Sequence, residues 1–462
     1  MEEKKTQPLQ ENKMGVAPIG PLLANMAIPM MVSMLFQALY NVVDSVFVGM
    51  LSQDAFNAVS LAFPLQTLMI AVAGGTGVGM NALLSRSLGE KRFDIANRAA
   101  NTGIFLHLCS AALFMAVGLL GSGAFFRLQT ANEAIIHHGT AYTMVCLGCC
   151  FGLYLQFCME RLLQSTGRTT LSMTTQLLGA ITNIILDPIL IFGLFGFPRL
   201  EVMGAAIATV AGQILAAAVG LVLNLKKNTE IQIRLEEIRF HKATAAEIYR
   251  VGIPSIIMQS IGSVMTFCMN RILISFTEAA TAVFGAYFKL QSFIFMPIFG
   301  LNNGMVPILA YNYGAARPER VKKTITLSVA VSVTIMSIGM LLFETVPAVL
   351  LGFFSPSEEM LSIGVSALRI IGLSFPIAGF CIIAGSVFQA IGNPVYSLIN
   401  AVSRQLLVLL PVAWLLSRTG VLSSVWLAFP IAEIASLITS TFFLRRTMHA
   451  ANARMRLAQE RL

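Results

Sequence analysis

The sequence predicts an all-α polytopic membrane protein, with twelve transmembrane helices in two pseudo-symmetric six-helix lobes around a central cavity. Three observations carry this expectation. First, 56% of the 462 residues are hydrophobic and only 11% are charged, against about 25% charged in a soluble domain. A soluble fold of this length cannot bury so much apolar surface. Second, apolar runs of roughly 20 residues, the length that crosses a bilayer core, recur along the chain without strand alternation. Third, the chain matches itself at a constant shift of 225 residues.

The polar, mixed-charge start carries no short apolar core followed by a small-residue cleavage site, so no signal peptide is expected. The runs then fall at 22–48, 56–84, 96–120, 134–157, 168–192, 202–225, 247–272, 280–310, 322–345, 359–384, 391–416 and 422–444. Span 1 holds Pro29 and a polar stripe, Gln37, Tyr40, Asn41 and Asp44, at helical spacing. Span 2 holds the run Gly74-Gly75-Thr76-Gly77-Val78-Gly79, which lacks the Lys-Ser/Thr of a phosphate loop and follows no strand. Small residues that let helices approach closely explain it better. His107 in span 3 reads as a core histidine, and Cys146 and Cys149 in span 4 as packing. All seven cysteines lie in apolar segments and give no disulfide framework. Just past span 4, Glu160 beside Arg161 reads as a local ion pair. Span 5 has a second stripe of Gln176, Asn183 and Asp187, with Pro188 following directly. Spans 7 and 10 contain no Asp or Glu, and span 12 contains Glu433, read as a helix-to-helix hydrogen bond.

The basic residues set the orientation. Of 31 Lys and Arg, 24 fall in the tails and in the loops on the side of the termini, and four (Arg127, Arg199, Arg271 and Arg418) fall in the opposite loops. The positive-inside rule puts both termini in the cytoplasm and the protein in the cytoplasmic membrane. The net charge of +9 is therefore an orientation signal, and nucleic-acid binding is not expected.

The repeat defines the expected domains. Ile28-Pro29 falls on Ile253-Pro254, Leu65-Gln66 on Leu290-Gln291, Gly79-Met80 on Gly304-Met305, Gly89 on Gly314, Gln164 on Gln389 and Gly167 on Gly392. Six spans per repeat leave both lobes in the same orientation, related by an axis along the membrane normal. The boundaries are 1–228 for the N-terminal lobe, 229–246 for a charged linker and 247–462 for the C-terminal lobe. Two such lobes around a cavity suit alternating access.

Candidate functional residues follow from membrane depth. A carboxylate there costs roughly 2.5–3.5 kcal/mol on insertion scales, so Asp44 and Asp187 are site candidates by default. Asp44 lies four and Asp187 five residues before the outer end of its span, which places them at similar depth. At the 225 offset Asp44 maps to Met269 and Asp187 to Val412, so the acids belong to one lobe only. The two stripes would line one wet cavity, with Asn41 and Gln176 among the residues facing a substrate. Pro29 and Pro188 each remove a helix hydrogen bond, free a carbonyl four residues earlier and serve as hinge candidates. The 24 Met and 31 Phe would mostly face lipid or pack, though a cavity lined by them with a few carboxylates would suit amphipathic cations. No catalytic constellation supports an enzyme, and no ATPase cassette is present, so energy must come from an ion gradient or from the solute.

The segment Asn183-Ile184-Ile185-Leu186-Asp187-Pro188 resembles the span 5 signature of the multidrug and toxic compound extrusion (MATE) family. Tyr311-Asn312-Tyr313-Gly314-Ala315 with Arg320-Val321-Lys322-Lys323, the paired Gln164-Ser165-Thr166-Gly167 and Gln389-Ala390-Ile391-Gly392, and Gly204-Ala205-Ala206-Ile207-Ala208-Thr209 are similar to that family too. The likeness covers essentially the whole chain and points to the branch that includes the DinF and MepA exporters. It implies efflux of drug-like, often cationic compounds or toxic metabolites in exchange for H+ or Na+, by a monomer in the bilayer without a cofactor. It also implies that Asp44, Asn183, Asp187 and Thr209 form the cation or proton site. Asp44, Asn183 and Asp187 would be the ligands if the ion is sodium, and Gln37 and Tyr40 would face substrate.

Two rival classes are weighed against this. A lipid-linked oligosaccharide flippase needs several cavity arginines to grip pyrophosphate, and only Arg271, Lys289, Arg369 and Arg404 are available. A major-facilitator carrier should show nested repeats of three helices, which are not evident.

Overall fold

The computed structural model describes residues 12–354 and 356–460, and no strand occurs among them. Ten helices are long and apolar enough to cross a membrane, and two bent pairs complete twelve spans. In chain order these are α1 (Ile19–Gly49), α2 (Gln53–Gly89), α3 (Phe93–Gln129), α4 (Glu133–Gly148 and Phe151–Ser165), α5 (Thr169–Phe192) and α6 (Glu201–Lys227). The second half follows with α7 (Lys242–Ile274), α8 (Glu278–Gly314), α9 (Pro318–Thr345), α10 (Glu358–Gly372 and Phe375–Ile391), α11 (Pro394–Ser417) and α12 (Ala428–Gln459). Lys4, Lys5 and Arg461, counted in the charge asymmetry, lie outside the described residues.

Four helices depart from the expected spans. Helices α4 and α10 bend by 43° and 50° where straight runs were expected. The breaks fall at 149–150 and 373–374, about one repeat apart, and in α10 Pro376 opens the second segment and has no N–H to continue the first. Helix α11 passes through a π-helical stretch at Ser403–Leu409, just before Pro411. A missing proline donor leaves the preceding turn free to widen. Helix α12 starts later than expected and runs on to Gln459, because the tail is rich in Ala, Met, Leu and Arg, which are good helix formers. That extension docks on the end of α8: Gln459 Nε2 donates to the Ala316 carbonyl at 2.7 Å and Arg454 to the Tyr313 hydroxyl at 3.4 Å.

The core divides by depth. Near the face carrying residues 12 and 460, one apolar cluster draws on both halves of the chain, from Leu22, Met26 and Leu84 to Met305, Ile308 and Val387. Toward the opposite face there are two separate clusters, one around Tyr154 and Leu147, the other around Phe284 and Trp426. The halves are thus joined at the terminal face and part toward the other.

Glycines make the joint. A Cβ on Gly75 would sit 2.4 Å from Ile256, and one on Gly300 would sit 2.4 Å from Met31. On Gly79 it would lie 2.0 Å from the Ile248 carbonyl oxygen, on Gly304 2.6 Å from Ala27 and on Gly89 2.0 Å from the Tyr311 oxygen. Gly300 and Gly304 stand 225 residues after Gly75 and Gly79, and Ile256 stands 225 after Met31. The repeat seen in sequence is therefore a pair of related helix contacts, α2 on α7 and α8 on α1, that admit backbone against backbone. A short segment caps the joint. Met14 is fully buried, and its carbonyl accepts from Asn312 Nδ2 and Arg320 Nη2, both at 2.9 Å. On the same segment Asn12 Nδ2 donates to the Thr166 carbonyl at 3.2 Å and to Glu230 at 3.0 Å.

Within the second half, Arg404 of α11 and Glu433 of α12 form an ion pair at 2.5 Å, so Glu433 does join two helices. Glu433 is 8% exposed.

Two outcomes follow from this packing. Gly79→Ala should force α2 and α7 apart, at about 1–3 kcal/mol as for other overpacked sites. A cysteine at Ala82 in the joint should then be labelled faster in Gly79→Ala than in the parent, with Gly121→Ala, whose added carbon meets only Val117 at 4.0 Å, as the silent control. Arg404→Met should lower stability by about 3–5 kcal/mol because it strands a buried carboxylate, and Arg404→Met with Glu433→Leu should recover most of that loss in detergent unfolding.

Candidate functional site

The candidate site lies inside the first half, between α1, α4, α5 and α6. Helices α5 and α6 approach closely through small residues: a Cβ on Gly212 would lie 2.5 Å from the Gly179 carbonyl oxygen, and one on Gly204 2.6 Å from the Leu190 backbone. That proximity lets Asn183 Nδ2 on α5 donate to Thr209 Oγ1 on α6 at 3.1 Å. The same nitrogen makes a longer contact, 3.4 Å, with Asp187 Oδ1 one turn along α5.

A cavity of about 100 Å³ opens beside this pair. Gln37 and Tyr40 of α1, Gln176 and Asn183 of α5 and Thr209 of α6 line it. Drug-sized pockets hold about 300–1,000 Å³, so in this state the cavity has room for water or an ion but not for a drug. Pro29 lies one turn on the terminal side of the cavity and Pro188 one turn on the other side. The carbonyl that Pro29 frees, that of Asn25, accepts from Thr169 Oγ1 at 3.5 Å and so meets the start of α5.

The acids stand at the outer edge of this arrangement. Asp187 is fully buried, Asn183 is 3% exposed and Asp44 is half-buried. Asp44 Oδ1, Asp187 Oδ2 and Asn183 Oδ1 are each buried without a hydrogen-bond donor. Buried polar atoms are normally paired. Ionised carboxylates and amide oxygens only accept, so each of these oxygens can take a donor or a cation.

Asn41 departs from the expected stripe. It lies exposed beside Val42 and Val46 on the outer part of α1, off the cavity, where α1 leaves the joint between the halves. Glu160 departs too. It forms no ion pair with Arg161 among the described residues, since neighbours on a helix point about 100° apart. Instead Glu160, 5% exposed, faces the cavity, and its carboxylate accepts from Gln156 Nε2 at 2.9 Å and Gln176 Nε2 at 2.7 Å. Sequence reasoning missed this group, although Gln156, Glu160 and Gln164 at i, i+4 and i+8 form a polar stripe of the kind noticed in spans 1 and 5. His107 is fully buried between the carbonyls of Gly103 and Ala73, as a core histidine. Among the described residues no cluster of three or more His, Cys, Asp or Glu could hold a metal ion.

The profile of the MatE family matches residues 29–189 and again 254–415, two segments one repeat apart. Over 448 residues the chain is 29% identical to the FAD transporter of Shewanella oneidensis, covering 95% of this chain and 97% of that one. It is 26% identical to the multidrug export protein MepA of Staphylococcus saprophyticus, over 90% of this chain and 92% of that one. An outward-facing structure of a multidrug resistance MATE family transporter of the MOP superfamily superposes with a TM-score of 0.90 at 24% identity, covering 96% of this chain and 99% of the other, which fixes the fold. These proteins are transporters, and the chain is not an enzyme. Matched by the profile over more than half its length, this multi-pass membrane protein belongs to the MatE family.

Proposed function

We propose that the protein is a secondary active multidrug efflux antiporter, exporting drug-like, often cationic amphipathic compounds in exchange for H+ or Na+. The observation that carries the reading is the set of unpaired acceptors on Asp44, Asp187 and Asn183 inside the first half. An unpaired buried carboxylate is costly, and a proton or a sodium ion removes the cost. Thr209 accepts from the amide nitrogen of Asn183 and so holds that side chain beside Asp187. Gln37, Tyr40 and Gln176 supply polar contacts to the cavity next to that point. The relatives named multidrug export protein MepA favour drug-like cargo.

In this reading the terminal face lies in the cytoplasm, by the excess of Lys and Arg there. The glycine joint closes that face, and the separate outer cores leave the other face open. Exchange then requires the halves to part at the joint and close at the opposite side. A flippase reading is weaker: the one arginine of the cavity, Arg161, is already engaged by Gln164 and Asn303.

A second cargo deserves its own arm of the test. The relative named FAD transporter aligns end to end. Between α7 and α8 lies a pocket of about 340 Å³ lined by Phe267, Phe284, Phe288, Asn270 and Arg271. Three rings and one guanidinium suit a planar aromatic anion.

The test is transport by purified protein in proteoliposomes, with sodium and proton gradients imposed separately and with a cationic dye and a flavin as cargoes. One gradient should drive uptake against concentration, and equal transport with no gradient would reject antiport. Asp44→Asn and Asp187→Asn should each bring driven transport down to the level of empty liposomes while the protein stays monodisperse. Because groups in one site are not additive, the double variant should be no worse than either single. Driven transport retained by either single variant would show that the two acids do not act as one unit.

A further inference from the structure

The cavity of the first half has one wall that does not belong to it. Asn303 of α8 is the single lining residue contributed by the second half. It is reached by Arg161 of α4, whose Nη1 donates to Asn303 Oδ1 at 2.8 Å and to Gln164 Oε1 at 2.9 Å. Both ends of this contact are fixed. The stem of Arg161 lies in the space left by Gly77 on α2, where a Cβ would stand 2.8 Å from Arg161 Cγ. Gln164 is held in turn by donating from Nε2 to Ser172 Oγ at 3.0 Å. Asn303 directly precedes Gly304, which packs on Ala27 in the joint itself. The guanidinium therefore spans from the cavity to the seam between the halves.

The carboxylate next to Arg161 in the chain does not compete for it. The carboxylate of Glu160 faces the same cavity and is occupied by the two amides of Gln156 and Gln176. A guanidinium bonds more strongly to a carboxylate than to an amide oxygen.

We infer that the Arg161–Asn303 hydrogen bond is a latch that holds the terminal face shut and ties its opening to events in the first-half cavity. Arg161 is a positioning residue: it acts on the arrangement of the halves through Asn303. The inference rests on the alternating-access reading above for its purpose, but the latch itself is a property of the joint.

The test measures the joint directly. Spin labels at Asp94→Cys on α3 and Lys322→Cys on α9, both exposed and on opposite halves, report the separation of the terminal face by pulsed electron resonance. The full chain is used in lipid nanodiscs, with Cys109, Cys149 and Cys268 replaced by Ser. Asn303→Leu removes the acceptor at similar volume and should raise the separated population about tenfold, or ~1.4 kcal/mol. Asn303→Asp offers Arg161 a carboxylate and should lower that population below the parent's. Shifts in opposite directions support the latch. Unchanged distributions, or shifts in the same direction, overturn it, because a packing effect alone does not reverse with the charge of the acceptor. Should Asn303→Leu not yield folded protein, Asn303→Ala takes its place with the same expectation. Gradient-driven transport of the unmodified chain is measured alongside. Its absence would count against antiport and leave the distance result standing on its own.

Discussion

The structure depends on one constraint: two halves of a membrane-embedded chain meet backbone to backbone at the terminal face, and only glycine permits that approach. Gly75 and Gly79 on α2 and Gly300 and Gly304 on α8 face α7 and α1 at distances where a methyl group would overlap neighbouring atoms. In lipid no hydrophobic force favours helix association, so close packing and polar contacts carry it. The shared apolar cluster, the Met14 segment and the Arg161 bridge all gather at this seam. Beyond it each half keeps its own core, so the parting of the outer side follows from how the inner side is joined.

Within that frame the first half holds the acids without a countercharge. Asp187 sits where α5 and α6 are brought together by Gly179, Gly204 and Gly212, and Asp44 stands on α1. The second half uses the related region differently: Glu433 has a cation of its own chain, Arg404, against one oxygen, whereas Asp44 and Asp187 form no ion pair among the described residues and each keeps a buried oxygen with no donor. A buried charge with a countercharge beside it is neutralised within the fold, and one without a countercharge is left costly.

Much of this was legible in the sequence because membrane helices announce themselves. Hydropathy located every span, and the 225-residue offset identified residues that the structure places at the seam, such as Gly79 and Gly304. The stripes in spans 1 and 5 led to Gln37, Tyr40, Gln176 and Asn183, which share one cavity. What stayed hidden depends on tertiary context. Cys149-Cys150 gives no local sign of a bend. The π-helical turn of α11 shows only as a proline downstream. Glu160 and Arg161 read as partners because they are adjacent, although adjacency on a helix separates side chains. Asn41 has the right spacing but lies beyond the cover of neighbouring helices.

The central claim is that Asp44 and Asp187 hold the exchanged cation together. Infrared difference spectroscopy of the purified protein, on adding sodium at fixed pH or on acidification without sodium, reads the carboxyl groups directly. The account predicts a carboxyl band that appears on addition of one of these cations and is lost in both Asp44→Asn and Asp187→Asn. A band that persists unchanged in both variants, or no carboxyl response to either cation, would contradict it.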